Sequence, residues 1–217
     1  MRIGLLRETA AREHRVALVP ATVKRLVQEE HQVLVEAGAG TAAYFTDQEY
    51  LDVGATIVPT AAAAADGADL VAKVQPPDPG QVTSFKRGAV LVSLLAPHVN
   101  GPLLDRLATA GVSSLCLELV PRTTKAQSMD VLSSQATVAG YQAVLFGATK
   151  LGRFLPMLTT AAGTIVPGKA FIIGAGVAGL QAIATARRLG AVVTAFDVRP
   201  VVKEQVESLG AKFVEAG

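Results

Sequence analysis

The chain has 217 residues with 20 Lys plus Arg against 18 Asp plus Glu; the net charge of +2, with no basic run longer than a pair such as Arg187-Arg188, predicts no nucleic-acid footprint. Half of the residues are hydrophobic but only 5% are aromatic, so the apolar content is Ala, Val and Leu, the composition of a small-residue α/β protein. The single cysteine, Cys116, excludes an intrachain disulfide and fits a reducing compartment. Apolar stretches such as Ala89 to Pro97 stop well short of the ~20 residues that span a bilayer, and the charged Arg7-Glu8 comes too early for a signal peptide, so a soluble protein of the cytoplasmic side is expected.

Short β-rich apolar runs alternate with segments of helical period, the pattern of parallel βα units. Strands are predicted over Ile3 to Leu6, Gln32 to Glu36, Ala55 to Val58, Leu70 to Val74, Val90 to Leu95 and Val112 to Leu117. Helices are predicted from Pro20, from the capping box Thr46-Asp47-Gln48-Glu49, and from the Asn100-Gly101-Pro102 turn to a stop at Gly111. Residues 1–120 thus form one doubly wound α/β domain. Residues 121–151 hold a polar loop, Arg122 to Ser133, and a long helix from about Asp130 to Leu151. Its apolar stripe is expected on Val131, Val138, Tyr141, Leu145 and Ala148.

Residues 152–217 begin a second Rossmann-like domain, with strands Lys169 to Ile173, Ala191 to Phe196 and Ala211 to Val214 and helices Ala178 to Leu189 and Lys203 to Leu209. A dinucleotide fold needs two βαβαβ halves and only the first is written, so the sequence is expected to be a fragment of a longer protein, inactive alone.

The sharpest motif is Gly174-Ala175-Gly176-Val177-Ala178-Gly179, set between a β run and an apolar helix. The first glycine permits the tight turn, the second lets a pyrophosphate approach the backbone, and the third allows close helix packing. The helix N-terminus offers N–H groups and partial positive charge to the phosphates. The next strand ends at Asp197, 18 residues after Gly179, where a carboxylate would accept hydrogen bonds from the adenosine ribose and repel a 2′-phosphate. NAD(H) is therefore the expected cofactor, held by Gly174, Gly176, Val177, Ala178, Gly179, Asp197 and Arg199. Arg199 alone would favour NADP, but Asp197 occupies the strand end itself.

Taken by itself, the loop Arg122 to Ser133 reads either as a solvated linker whose Asp130 complements the following helix, or as a ligand site at the mouth of an interdomain cleft. His14, His31 and His98 show no metal spacing, and no metal is expected.

The stretch Pro121-Arg122-Thr123-Thr124-Lys125-Ala126-Gln127-Ser128-Met129-Asp130-Val131-Leu132-Ser133-Ser134-Gln135 closely resembles the signature loop of proton-translocating NAD(P) transhydrogenase, in its NAD(H)-binding component. Thr159 to Gly163, Gly174 to Ala186 and Lys203 to Gly210 resemble the same family. The resemblance implies that Arg122, Gln127, Asp130 and Ser133 lie near the bound nicotinamide. It also implies a hydride transfer to NADP(H) on a partner domain, a membrane-spanning proton-conducting subunit that attaches the component peripherally to the inner membrane, and a homodimer.

Alanine dehydrogenase is similar in fold. Its Arg-Val-Ala-Leu and Val-Lys-Val segments are echoed by Arg15 to Leu18 and Ala72-Lys73-Val74. That family's resemblance implies an Arg and a Lys for a keto acid and a His at a strand end as proton carrier. Ser93-Leu94-Leu95-Ala96 holds no His, unless nearby His98 substitutes. An amino acid oxidoreductase of that type, or an NAD-sensing module, is the alternative reading.

Overall fold

Alternating apolar residues fix the strands of the first sheet: β1 (Arg2–Leu5), β2 (Gln32–Glu36), β3 (Thr56–Val58), β4 (Leu70–Ala72), β5 (Val90–Ser93) and β6 (Ser113–Cys116). All pair in parallel in the order β3-β2-β1-β4-β5-β6, the doubly wound order with its switch point between β1 and β4. The structure is a computed structural model that describes residues 1–215; it divides into two compact units, Met1–Met129 and Asp130–Gly217.

In the first unit the period of two sends Ile3, Leu5, Val33 and Val35 into one core with Val23 and Tyr50. Leu6, Val71 and Leu91 enter another with Ala64, Phe85 and Leu107. The helices are α1 (Pro20–Gln28), α2 (Asp47–Asp52), α3 (Ala61–Ala65), α4 (Pro79–Val82) and α5 (Gly101–Ala110). The predicted capping box opens α2: Thr46 Oγ1 accepts from the Glu49 N–H at 3.3 Å, and Glu49 accepts from the Thr46 N–H at 2.7 Å. Gly111 ends α5 at φ +69°, as its placement predicts. Cys116 lies half-buried on the edge strand β6, whose Ser113, Ser114 and Leu115 face solvent.

The second unit comprises α6 (Val131–Lys150), β7 (Leu158–Thr160), β8 (Gly163–Ile165), β9 (Lys169–Ile173), α7 (Val177–Arg188), β10 (Val192–Phe196), α8 (Lys203–Ser208) and β11 (Lys212–Val214). Its parallel sheet runs β11-β10-β9, one half of a dinucleotide fold, around a core that includes Ile183, Ala186, Val193, Ala195, Val206 and Phe213. The antiparallel hairpin of β7 and β8 is an addition to the predicted elements.

The stripe predicted for α6 is corrected. Val138 and Tyr141 are exposed, and the buried residue of α6 is Gly140, where any Cβ would run into the Ala178 carbonyl of α7. Close helix approach selects small residues, so α6 meets α7 at Gly140, with Val144 packed against the same core, while Val131, Leu145 and Ala148 of the predicted stripe are half-buried. Among the described residues, no helix is long and apolar enough to cross a membrane.

Candidate functional site

The glycine turn in the second unit is built by β9 delivering the chain to Gly174 at φ +95°, a conformation that L side chains rarely adopt. Gly174 donates its N–H to the Phe196 carbonyl at 2.7 Å, which ties the turn to the end of β10. Gly176 caps α7, and Leu180 donates back to its carbonyl at 2.8 Å. A Cβ on Gly179 would run into the Gly174 carbonyl oxygen, so only glycine lets the helix sit this close to its turn. A Cβ on Gly176 would meet nothing within 4 Å. That open space, with exposed Gly176 and Val177 and half-buried Ala178 at the N-terminus of a 12-residue helix, fits a pyrophosphate.

Asp197 follows β10 directly and is almost wholly buried. One carboxylate oxygen accepts from the Ala175 N–H at 2.7 Å, so the acidic residue holds the glycine turn. The other accepts from the Arg199 N–H at 2.9 Å, and the Arg199 guanidinium grips both oxygens, through Nε at 2.9 Å and Nη2 at 3.0 Å. The Arg199 guanidinium, then the Ala175 and Arg199 backbone N–H groups, hold the Asp197 carboxyl far below the ordinary carboxylate range, so it is ionised at any physiological pH. The motif residues Gly174, Gly176, Val177, Ala178, Gly179, Asp197 and Arg199 thus lie together in the second unit.

The loop residues are placed differently. Arg122 and Gln127 are exposed in the first unit, Gln127 within a short 3₁₀ segment, Thr124–Met129, that replaces the irregular loop expected there. Asp130 and Ser133 lie in the second unit and bond to each other: Asp130 accepts from the Ser133 N–H at 2.9 Å and from its hydroxyl at 2.7 Å. This is an N-cap on α6, the local arrangement expected of a carboxylate before a helix.

The first unit holds a polar cluster that sequence reasoning missed. Glu13 grips Arg15 with two hydrogen bonds of 2.6 and 2.8 Å and accepts from Gln75 at 2.7 Å. The side-chain bond from Arg15 outweighs the cost of burial and lowers the Glu13 carboxyl from 4.5 to about 2. Lys73, fully buried, lies 3.4 Å from Glu8 and donates to the Arg7 carbonyl at 3.1 Å, while Glu8 accepts from the Val74 and Gln75 N–H groups. Arg7, Glu8, Glu13, Arg15, Gly38 and Thr41 border a cavity of about 330 Å³. Only Arg15 and Lys73 carry a sequence signal, through resemblance; the acidic partners share no spacing that announces them. Leu95 and Ala96, the segment where a His would stand, instead donate their N–H groups to Glu118, and His98 is exposed.

A parallel strand, a glycine turn, a helix and a second strand ending in a carboxylate define a Rossmann-like α/β protein. Residues 4–139 match the family model "Alanine dehydrogenase/PNT, N-terminal domain" and residues 143–216 match "Alanine dehydrogenase/PNT, C-terminal domain". The chain belongs to the alanine dehydrogenase/PNT family. It is 49% identical to an NAD(P) transhydrogenase subunit alpha chain of Rhodospirillum rubrum, over 99% of this chain and 57% of that relative, so it spans little more than half the relative's length. The transhydrogenase structure from Sinorhizobium meliloti superposes with a TM-score of 0.95 at 50% identity, covering 98% of this chain and 64% of that one. An L-alanine dehydrogenase structure superposes with a TM-score of 0.89 at 31% identity, covering 100% and 61%.

Proposed function

We propose that the chain is the NAD(H)-binding component of a proton-translocating NAD(P) transhydrogenase, presenting its nicotinamide to NADP(H) on a partner domain. A membrane-spanning subunit then conducts protons and holds the component at the cytoplasmic face of the inner membrane. The observation that carries the NAD(H) reading is the hydrogen bond from the Ala175 N–H to Asp197, which ties the glycine turn to the carboxylate at the end of β10. When bound, the dinucleotide supplies the hydride. The chain's own residues supply position: the α7 N-terminus for the pyrophosphate, Asp197 for the ribose, and Arg122, Gln127, Asp130 and Ser133 for the nicotinamide end.

Hydride exchange between two nicotinamides needs no proton carrier from the protein, whereas oxidation of an amino acid does. The sequence Ser93-Leu94-Leu95-Ala96 supports the first, and Glu118 rather than a titrating His fastens that segment. Arg15 and Lys73, the cations expected of a keto acid site, are already engaged by Glu13 and Glu8.

Calorimetric titration of the full chain with NADH tests the cofactor assignment. Wild type is expected to bind one NADH per chain, and Asp197→Ala to weaken binding about ten-fold or more, the loss expected when hydrogen bonds to a charged acceptor are removed. Equal affinity in the two proteins would refute it.

A further inference from the structure

The first turn of α7 is held through two adjacent residues by two different elements. A Cβ on Gly179 would run into the Gly174 carbonyl oxygen, inside the glycine motif. The second contact comes from outside the motif: a Cβ on Gly140 of α6 would run into the Ala178 carbonyl oxygen. It would also lie 2.9 Å from the Ala178 carbonyl carbon and 3.1 Å from its Cα. These obstacles are backbone atoms, so no side chain can swing aside to make room. Gly176 and Val177, at the same end of α7, stay exposed. Glycine is not required all along α6, because a Cβ on Gly147, two turns further on, would meet nothing within 4 Å. A glycine inside a helix costs stability, and at Gly140 that cost is matched by a contact no other residue permits.

From this geometry, and resting on the NAD(H) reading above, we propose that Gly140 is a positioning residue for the diphosphate of the dinucleotide. Its missing side chain sets how close α6 stands to the first turn of α7, and so where the free N–H groups of that turn meet the phosphates. An added methyl forces the two helices apart by about 1 Å, because packed backbones do not yield in place. Hydrogen bonds from N–H groups weaken steeply over such a distance. The adenosine end is governed by Asp197 at the end of β10, so the effect falls on the diphosphate.

The test is titration of full-chain wild type, Gly140→Ala, Val144→Ala and Gly147→Ala with NADH and ADP by calorimetry, and with adenosine by ligand-observed NMR. Asp197→Ala is the reference, and circular dichroism sets a temperature at which each protein is folded. Gly140→Ala is expected to bind NADH and ADP about ten-fold more weakly, the loss of one charge-assisted hydrogen bond, and adenosine as wild type does. Gly147→Ala should bind all three ligands normally and unfold at a higher temperature, since Ala is the better helix former. Val144 packs from the same helix onto the core of the second unit, and its truncation introduces no clash. Val144→Ala should weaken NADH and ADP about three-fold with adenosine unchanged, and it decides the matter if Gly140→Ala does not fold. Wild-type NADH affinity in folded Gly140→Ala, or in Val144→Ala if that variant must decide, would overturn the proposal by leaving the contact as packing alone. An equal loss for all three ligands would overturn it as a general distortion. If wild type fails to bind NADH, or Asp197→Ala binds it unchanged, the NAD(H) reading falls and this inference with it. If Asp197 matters and the α6 variants do not separate ADP from adenosine, only this inference falls.

Discussion

At the residue scale the two units show one device with different consequences: a carboxylate gripped by an arginine two positions along the chain. Asp197 uses it beside an open glycine turn, and Glu13 uses it in a half-buried polar cluster with Gln75. The Arg15 guanidinium lowers Glu13 from 4.5 to about 2, so the folded state favours the ionised carboxylate more than the unfolded chain does. A lowered value gives stability that is fully present above the unfolded value and is lost as pH falls through the folded one. The expected outcome is that the wild-type unfolding midpoint in urea falls between pH 4.5 and about 2 more steeply than that of Glu13→Gln. Parallel slopes in the two proteins would assign the acid sensitivity elsewhere.

At the scale of elements, the loop before α6 carries both a cap and a proposed nicotinamide contact, and one substitution separates them. Asn caps a helix about as well as Asp, so Asp130→Asn should change stability by only about a few tenths of a kcal/mol, whereas Asp130→Ala should cost about 1 kcal/mol. Arg122→Ala and Gln127→Asn, both at exposed positions, should likewise leave stability within about 0.5 kcal/mol. If these side chains position the nicotinamide, Arg122→Ala, Gln127→Asn and Asp130→Asn will keep most NADH affinity. Each will slow single-turnover hydride transfer on the order of 100-fold, the effect of displacing reacting atoms by about 1 Å. Stopped-flow exchange from NADH to an NADP analogue measures this, and wild-type rates in all three would leave the loop as a cap and linker.

The same scale shows what is legible in advance. Strands β2 and β9 occupy their predicted spans because apolar β runs bounded by turn residues have one physical reading, and Gly111 and the Thr46 box mark helix ends by local hydrogen bonding. Helix α3 is a run of alanines with no period to detect, and the hairpin of β7 and β8 is written in small residues around Gly163. The buried face of α6 escapes sequence reasoning because the helix is apolar nearly all round; which side packs on α7 is decided by the close approach at Gly140, a tertiary fact. The dinucleotide motif is legible because its residues are fixed by backbone geometry. The hold of Arg199 on Asp197 is not, because spacing does not say which way a side chain turns.

For the whole molecule, the resemblance to transhydrogenase implies a homodimer, and the apolar residues exposed on the second unit support that reading. Val138, Tyr141 and Phe146 stand out from α6, and Phe154 and Met157 lie exposed just before β7. Light scattering after size exclusion should give twice the 22.4 kDa chain mass for this chain, and the double substitution Val138→Glu with Phe146→Glu should return it to a monomer. A monomeric wild type would contradict the homodimer that the resemblance implies.

In the function proposed, the chain positions NAD(H) for a partner rather than oxidising a substrate of its own. Hydride exchange between NADH and an NADP analogue, run with and without the NADP(H)-binding partner domain and beside an assay of L-alanine with NAD⁺, separates the two. Exchange is expected only when the partner is present, with no turnover of alanine. Turnover of alanine would identify an amino acid dehydrogenase, and NADH binding without chemistry in any combination would identify an NAD-sensing module; either result contradicts the proposal.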